Sequence, residues 1–134
     1  MAKITAIEGI GDVWGEKLQA MGIPTTEELL ARGATPSGRK ALAEESGASS
    51  AAVLNWVNRA DLFRVKGIGE EYSDLLEVAG VDTVRELAQR NADNLHAALV
   101  SSNAEKSVVR HLPGRDQVAR WIEEAKALPR AIEY

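Results

Sequence analysis

The chain has 134 residues, of which 45% are hydrophobic and 27% are charged, a balance typical of a folded, soluble protein. It contains no cysteine, which excludes disulfides, thiolate metal sites and cysteine nucleophiles. The net charge of −4 argues against strong binding to nucleic acid, because neutralised phosphates supply most of the affinity for a nucleic-acid backbone.

The first predicted feature is a tight turn at residues 7–11, which read Ile-Glu-Gly-Ile-Gly. Glycine accepts backbone angles that are closed to other residues, so Gly9, Ile10 and Gly11 favour a hairpin turn that leads into a helix. Gly22 stands where a residue in the left-handed conformation ends that helix.

Further helices are predicted in the rest of the first half. Thr25 and Glu28 fit a capping box, in which the hydroxyl and the carboxylate each accept an unpaired amide at a helix start. Residues 35–36, Thr-Pro, predict another start with proline in the first helical position, and Gly47 predicts the end of that helix. Trp56 lies on an apolar stripe, so we expect it in the core.

The second half repeats the first. At an offset of 58 residues the turn recurs, at Gly67, Ile68 and Gly69. Near the end of each half the correspondence continues at an offset of 65 residues, where Trp121 aligns with Trp56. The second half has therefore gained about seven residues, which we place within 96–113. This pattern indicates a duplicated unit.

The predicted fold is all-α, with about four helices in each unit. No stretch alternates between apolar and polar residues as a strand does. The first repeat spans 1–62 and the second 63–134. Residues 62–65, Leu-Phe-Arg-Val, lack the composition of a flexible linker, so we expect one compact body.

The repeated turn and its helices resemble the helix-hairpin-helix superfamily. More closely, nearly the whole chain is similar to DUF4332, a family of uncharacterised bacterial proteins with two such hairpins. The similarity lies in residues 7–11, 56–62, 65–72, 86–91 and 94–97. It implies a bacterial protein built from duplicated helix-hairpin-helix units.

For the superfamily, the resemblance implies contact with a DNA backbone without sequence preference, in which hairpin amides hold a phosphate. The candidate phosphate-binding residues lie at the second turn and in the basic stretch 106–130: Lys66, Ile68, Gly69, Arg110, Arg115 and Arg120. The sequence departs from the superfamily pattern because carboxylates follow both turns, at Asp12 and at Glu70 and Glu71. Such carboxylates compete with a phosphate for the helix start.

A non-catalytic binding or scaffolding module is therefore the favoured function, with a protein partner or a second copy of the chain as the ligand. Trp14 and Tyr72 follow the two turns at matching positions and are the candidate interaction surface, with core packing as the alternative. Weak binding to a DNA or RNA backbone is the alternative function.

Catalysis is not expected, because no convergent set of catalytic residues is evident. His96 and His111 are the only histidines and lack the short spacing of a metal motif. They support a third hypothesis, a carrier of haem, metal or a small ligand, although we expect no cofactor. The apolar runs are too short for a membrane span and no secretory signal is evident, so we expect a cytoplasmic protein.

Overall fold

The computed structural model describes residues 2–134, in which eight α-helices follow a short 3₁₀ turn at Ile4–Ala6. The helices are α1 (Asp12–Ala20), α2 (Thr26–Arg32), α3 (Pro36–Ser46), α4 (Ser50–Leu62), α5 (Glu70–Val78), α6 (Val84–Ala88), α7 (Ala92–Lys106) and α8 (Arg115–Ala127). Lys3 and Thr25 form a single antiparallel bridge, and this part of the chain contains no strand. The all-α prediction is confirmed. None of the helices between residues 2 and 134 combines the length and apolar character needed to cross a membrane.

The chain divides into two compact units. The first extends to Phe63 and also includes Arg130–Tyr134, and the second is Arg64–Pro129. Four helices lie in each unit, as the sequence predicts. The repeat comparison assigned residues 130–134 to the second half, whereas they pack within the first unit. A single compact body formed by both halves stays a prediction.

In the first unit, α2 and α3 both pack against α4. The predicted core residue Trp56 lies on α4 and is 4% exposed, which confirms its interior position. The close approach of α2 to α4 requires Gly33, because a Cβ there would lie 2.4 Å from Val57 Cγ2. Burial of each large apolar side chain in such a core contributes about 1.5–3 kcal/mol.

The second unit has the same arrangement, with α6 and α7 packed against α8. Trp121 is 2% exposed and takes the place that Trp56 has in the first unit. Val118, Ile122 and Ala125 are buried beside it at helical spacing, so α8, like α4, turns an apolar stripe toward the core.

Helix ends confirm several local predictions. The Thr25 hydroxyl accepts the amide of Glu28 at 3.2 Å, and the Thr83 hydroxyl accepts that of Glu86 at the same distance. Each threonine thus satisfies one amide that has no partner within its helix. The return contact from each glutamate carboxylate stays a prediction. Gly22 and Gly80 follow α1 and α5 with positive φ angles of 83° and 93°, as expected for residues that end a helix.

The extra residues of the second unit lie where the offset changes. Helix α7 has 15 residues and α3 has 11. The segment that follows α7, residues 107–114, is also longer than residues 47–49 after α3. These differences add four and five residues, and α6, with five residues against seven in α2, removes two, so the net gain is the predicted seven. The added residues lie in α7 and in the loop to α8, which agrees with the predicted position of the insertion within 96–113.

We predict that Gly9→Ala and Gly11→Ala differ sharply in stability. Gly9 has a φ of +92°, so an alanine there should reduce the free energy of unfolding by about 1–2 kcal/mol. Gly11 has a φ of −82° and nothing within 4 Å of an added Cβ, so its substitution should change stability by less than about 0.5 kcal/mol. Urea denaturation of both variants measures the difference. Equal losses would show that the left-handed conformation is not the source of the cost.

Candidate functional site

The two glycine turns have the same backbone geometry. Gly9 and Gly67 both have a φ of +92°. In each turn the isoleucine amide donates to a carbonyl three residues earlier at 3.1 Å, from Ile10 to Ile7 and from Ile68 to Val65. The Ile68 amide was predicted to hold a phosphate, but it is already used inside the turn. Of the two amides proposed as phosphate donors, the Gly69 amide is the one without such a bond.

A helix starts directly after each turn. The first helical hydrogen bonds run from Gly15 to Gly11 at 2.8 Å and from Ser73 to Gly69 at 2.9 Å. The small residue at this position permits close packing, because a Cβ on Gly15 would lie 2.6 Å from Thr5 Cγ2, and Ser73 is fully buried. The amides of the first helical turn have no acceptor within the helix and suit an anion.

A tryptophan indole lies against the first glycine of each turn. An added Cβ on Gly9 would lie 3.6 Å from Trp56 Nε1, and one on Gly67 would lie 3.2 Å from Trp121 Nε1. Each turn is therefore in contact with the last helix of its own unit, α4 or α8. This contact determines which side chains of that helix lie beside the turn.

Trp14 and Tyr72, the predicted interaction surface, pack onto these tryptophans. The rings of Trp14 and Trp56 are 5.5 Å apart at 60°, and those of Tyr72 and Trp121 are 5.3 Å apart at 55°. Both side chains are half-buried. The Tyr72 hydroxyl also donates to the His111 carbonyl at 3.1 Å. Most of each ring is therefore engaged within its own unit.

A cavity of about 320 Å³ lies beside the second turn. It is lined by Lys66 from the turn and by Gln117, Arg120, Trp121 and Glu124 from α8. Their spacing of three, four and seven residues places these four on one face of the helix. Glu124 accepts the Lys66 backbone amide at 2.9 Å. Within residues 2–134, the charged groups of Lys66 and Arg120 form no ion pair, so the cavity has two available cations and one carboxylate.

The corresponding positions of the first unit carry different charges. Glu8 stands in the place of Lys66, and Asn55 in the place of Arg120. Ala52 replaces Gln117, and Arg59 replaces Glu124. Arg59 is buried, at 6% exposure. The turn and its tryptophan are thus common to both units, whereas the pair of available cations belongs to the second unit.

The other two predicted arginines do not line this cavity. Arg115, at the start of α8, pairs with Asp93 at 2.7 Å and with Asp116 at 3.6 Å. The bond to Asp93 raises the pKa of the Arg115 guanidinium. Arg110 is exposed in the loop before α8. The structure therefore brings Lys66 and Arg120 together out of the predicted basic set. Gln117 was missed, although its spacing from Trp121 could have identified it.

The two histidines offer no metal site with their neighbours. His96 is half-buried on α7, and His111 is exposed in the loop that follows. Within the described range, no group of three or more histidine, aspartate or glutamate side chains is arranged to hold a metal ion.

The fold and this cavity define an all-α protein of two matching units, one of which carries available cations beside its turn. The chain belongs to the DUF4332 family, described as a domain of unknown function, which matches residues 8–128. This match confirms the family predicted from the sequence. No curated protein and no solved structure shows significant similarity to the chain.

A carboxyl at the start of α6 also has an altered ionisation. Burial raises the pKa of Glu86 above its ordinary value of 4.5, the nearby Asp82 raises it further, and Arg90 opposes the shift. The folded chain therefore keeps this proton at pH values where the unfolded chain has lost it. The contribution of Glu86 to the free energy of unfolding therefore decreases as the pH rises from the pKa of this carboxyl in the unfolded chain through its pKa in the folded chain.

We predict that Glu86→Gln removes the loss of stability that the Glu86 carboxyl causes at rising pH. In the first unit Glu28 holds the same helix position but has Pro24 in the place of Asp82, so Glu28→Gln is the matched control. Both variants lose the same favourable interaction with the helix dipole. At about pH 7, Glu86→Gln should be the more stable variant, and near pH 3 the difference should disappear. Urea denaturation midpoints of both variants, measured from about pH 3 to about pH 7, test this prediction. Equal midpoints at every pH would contradict the raised pKa of Glu86.

Proposed function

We propose that this chain is a non-catalytic binding module whose second turn holds a phosphate of a nucleic-acid backbone. The supporting observation is the cavity lined by Lys66, Gln117 and Arg120, in which Lys66 lies three residues before Gly69, the N-cap of α5. Two cations, an amide and the free amides of a helix start are the groups that bind phosphate in proteins. The resemblance to the helix-hairpin-helix superfamily adds support.

The carboxylates around the cavity make this binding weak. Glu124 lies in the cavity wall, and Glu70 and Glu71 occupy the first turn of α5. With a net charge of −4, the chain gains little from general attraction to a polyanion. We propose binding without sequence preference, with a dissociation constant on the order of 10⁻⁴–10⁻⁶ M and a strong dependence on salt.

A protein partner or self-association is the second candidate function. The aromatic pair gives it less support than the sequence suggested, because Trp14 and Tyr72 pack against Trp56 and Trp121. A different surface, formed by α3, α4 and residues 130–134, gives it more support and is considered below. The proposed carrier role of His96 and His111 has no supporting arrangement of side chains.

We predict that binding is abolished when the cavity residues of the second unit are replaced by those at the matching positions of the first unit. In the double variant Lys66→Glu and Arg120→Asn, each substituted residue matches its counterpart in the first unit. Fluorescence anisotropy with labelled single- and double-stranded DNA, from about 20 to about 150 mM NaCl, should show binding by the original chain alone. In single substitutions, each lost phosphate contact should reduce the slope of log affinity against log salt by about 0.9.

The control carries the same substitutions away from the cavity, at Lys40→Glu and Arg85→Asn. Both residues are exposed. This control has the same net charge as the test variant, so it should retain most of the affinity at each salt concentration. Equal losses in the two double variants would show that total charge determines binding. Absence of binding by the original chain at low salt would reject the phosphate site.

A further inference from the structure

Residues 130–134 are held in the first unit by an apolar contact. Ile132 is 3% exposed and belongs to the hydrophobic core that contains Leu42, Val53 and Val57. Neighbouring residues of the segment are largely exposed, so Ile132 is the side chain that enters the core. Its burial favours the observed position of the segment, because apolar surface is removed from water.

Backbone hydrogen bonds fix the direction of the same segment. The Glu133 amide donates to the Ala34 carbonyl at 2.7 Å. Arg39 of α3 donates from Nη2 to the Glu133 carbonyl at 2.7 Å and from Nη1 to the Gly33 carbonyl at 2.9 Å. One guanidinium thus joins the end of α2 to the extended segment, and charged donors make stronger bonds of this kind than neutral ones.

Tyr134 forms the third contact. Its hydroxyl donates to Asn58 Oδ1 of α4 at 2.9 Å, and the Arg39 guanidinium lies 5.7 Å from the centre of its ring. Asn58 is 8% exposed, so its amide is a buried polar group with a defined partner. The four residues Gly33, Ala34, Arg39 and Asn58, with the core position of Ile132, form what we call the segment groove.

The segment groove is particular to the first unit. Arg39 is the fourth residue of α3, and the fourth residue of α7 is Leu95; at the repeat position of Asn58 the second unit has Glu123. A leucine side chain cannot donate to a carbonyl, and a glutamate in place of asparagine changes the acceptor for a tyrosine hydroxyl. The duplicated fold does not require these two residues, since the second unit folds without them. Their role is therefore to hold an extended segment.

We propose that the segment groove is a peptide-binding site for an extended segment in which an aliphatic residue is followed two positions later by tyrosine. Residues 130–134 occupy it within the same chain. Hydrogen bonds to the main chain supply affinity, as in other sites for extended peptides, and the core position of Ile132 with the hydrogen bond from Tyr134 to Asn58 supplies specificity. A protein partner presenting the same pattern binds by displacing this segment. This inference is independent of the phosphate site.

The test uses a full-length variant with a protease site inserted between Pro129 and Arg130, cut after the protein has folded. The probe is the fluorescent peptide Arg-Ala-Ile-Glu-Tyr. Before the cut, the tethered segment has an effective concentration in the millimolar range, so apparent affinity for the probe should be about 100-fold weaker than after the cut. A probe with aspartate in place of isoleucine, and a cut Arg39→Ala protein, should each bind at least tenfold more weakly.

Each outcome decides the proposal. Binding of the probe that depends on the cut, on isoleucine and on Arg39 supports it. If the cut protein stays folded by circular dichroism and does not bind the probe, the proposal is wrong. If the cut protein unfolds, excess isoleucine probe should restore the helical circular dichroism signal, and the aspartate probe should not. If neither probe restores the signal, the proposal is also rejected.

Discussion

The contact on which each unit depends is that of a tryptophan indole with a glycine in the left-handed conformation. The φ of +92° at Gly9 and Gly67 is unfavourable for a residue with a side chain. The missing side chain also leaves room for the indole, which approaches Gly67 so closely that a Cβ would lie 3.2 Å from it. Because Trp121 belongs to α8, this contact determines that Gln117, Arg120 and Glu124 lie beside Lys66.

The two units share the residues that form the fold and differ in the charged residues beside the glycine turn. Glycines, capping threonines and buried tryptophans occur in both units with closely similar hydrogen-bond distances. The polar residues around them differ in charge, with Glu8 and Asn55 in one unit and Lys66 and Arg120 in the other. Such differences leave the packing unchanged, because these side chains lie outside the apolar contacts of the core. The same helical framework therefore carries a different surface charge beside the turn in each unit.

Features determined by neighbouring residues were predicted well from the sequence. A threonine cap, a left-handed glycine and an apolar stripe each depend on a few adjacent positions, and α2, α6 and α8 form as these patterns predict. Features that depend on distant residues were not predictable. The pairing of Arg115 with Asp93 joins residues 22 positions apart, and the bond of Tyr134 to Asn58 spans 76. No local pattern specifies such partners.

The first unit is discontinuous in sequence, since Arg130–Tyr134 joins it after the 66 residues of Arg64–Pro129. During synthesis at about 5–20 residues per second, these intervening residues delay its completion by about 3–13 s. Throughout that interval the second unit is itself being synthesised, and the place of Ile132 in the core of the first unit is empty. The other buried residues of the first unit are all present before the second unit is made, so the core of the first unit can begin to form first and gains its last apolar side chain, that of Ile132, only after the second unit has been synthesised.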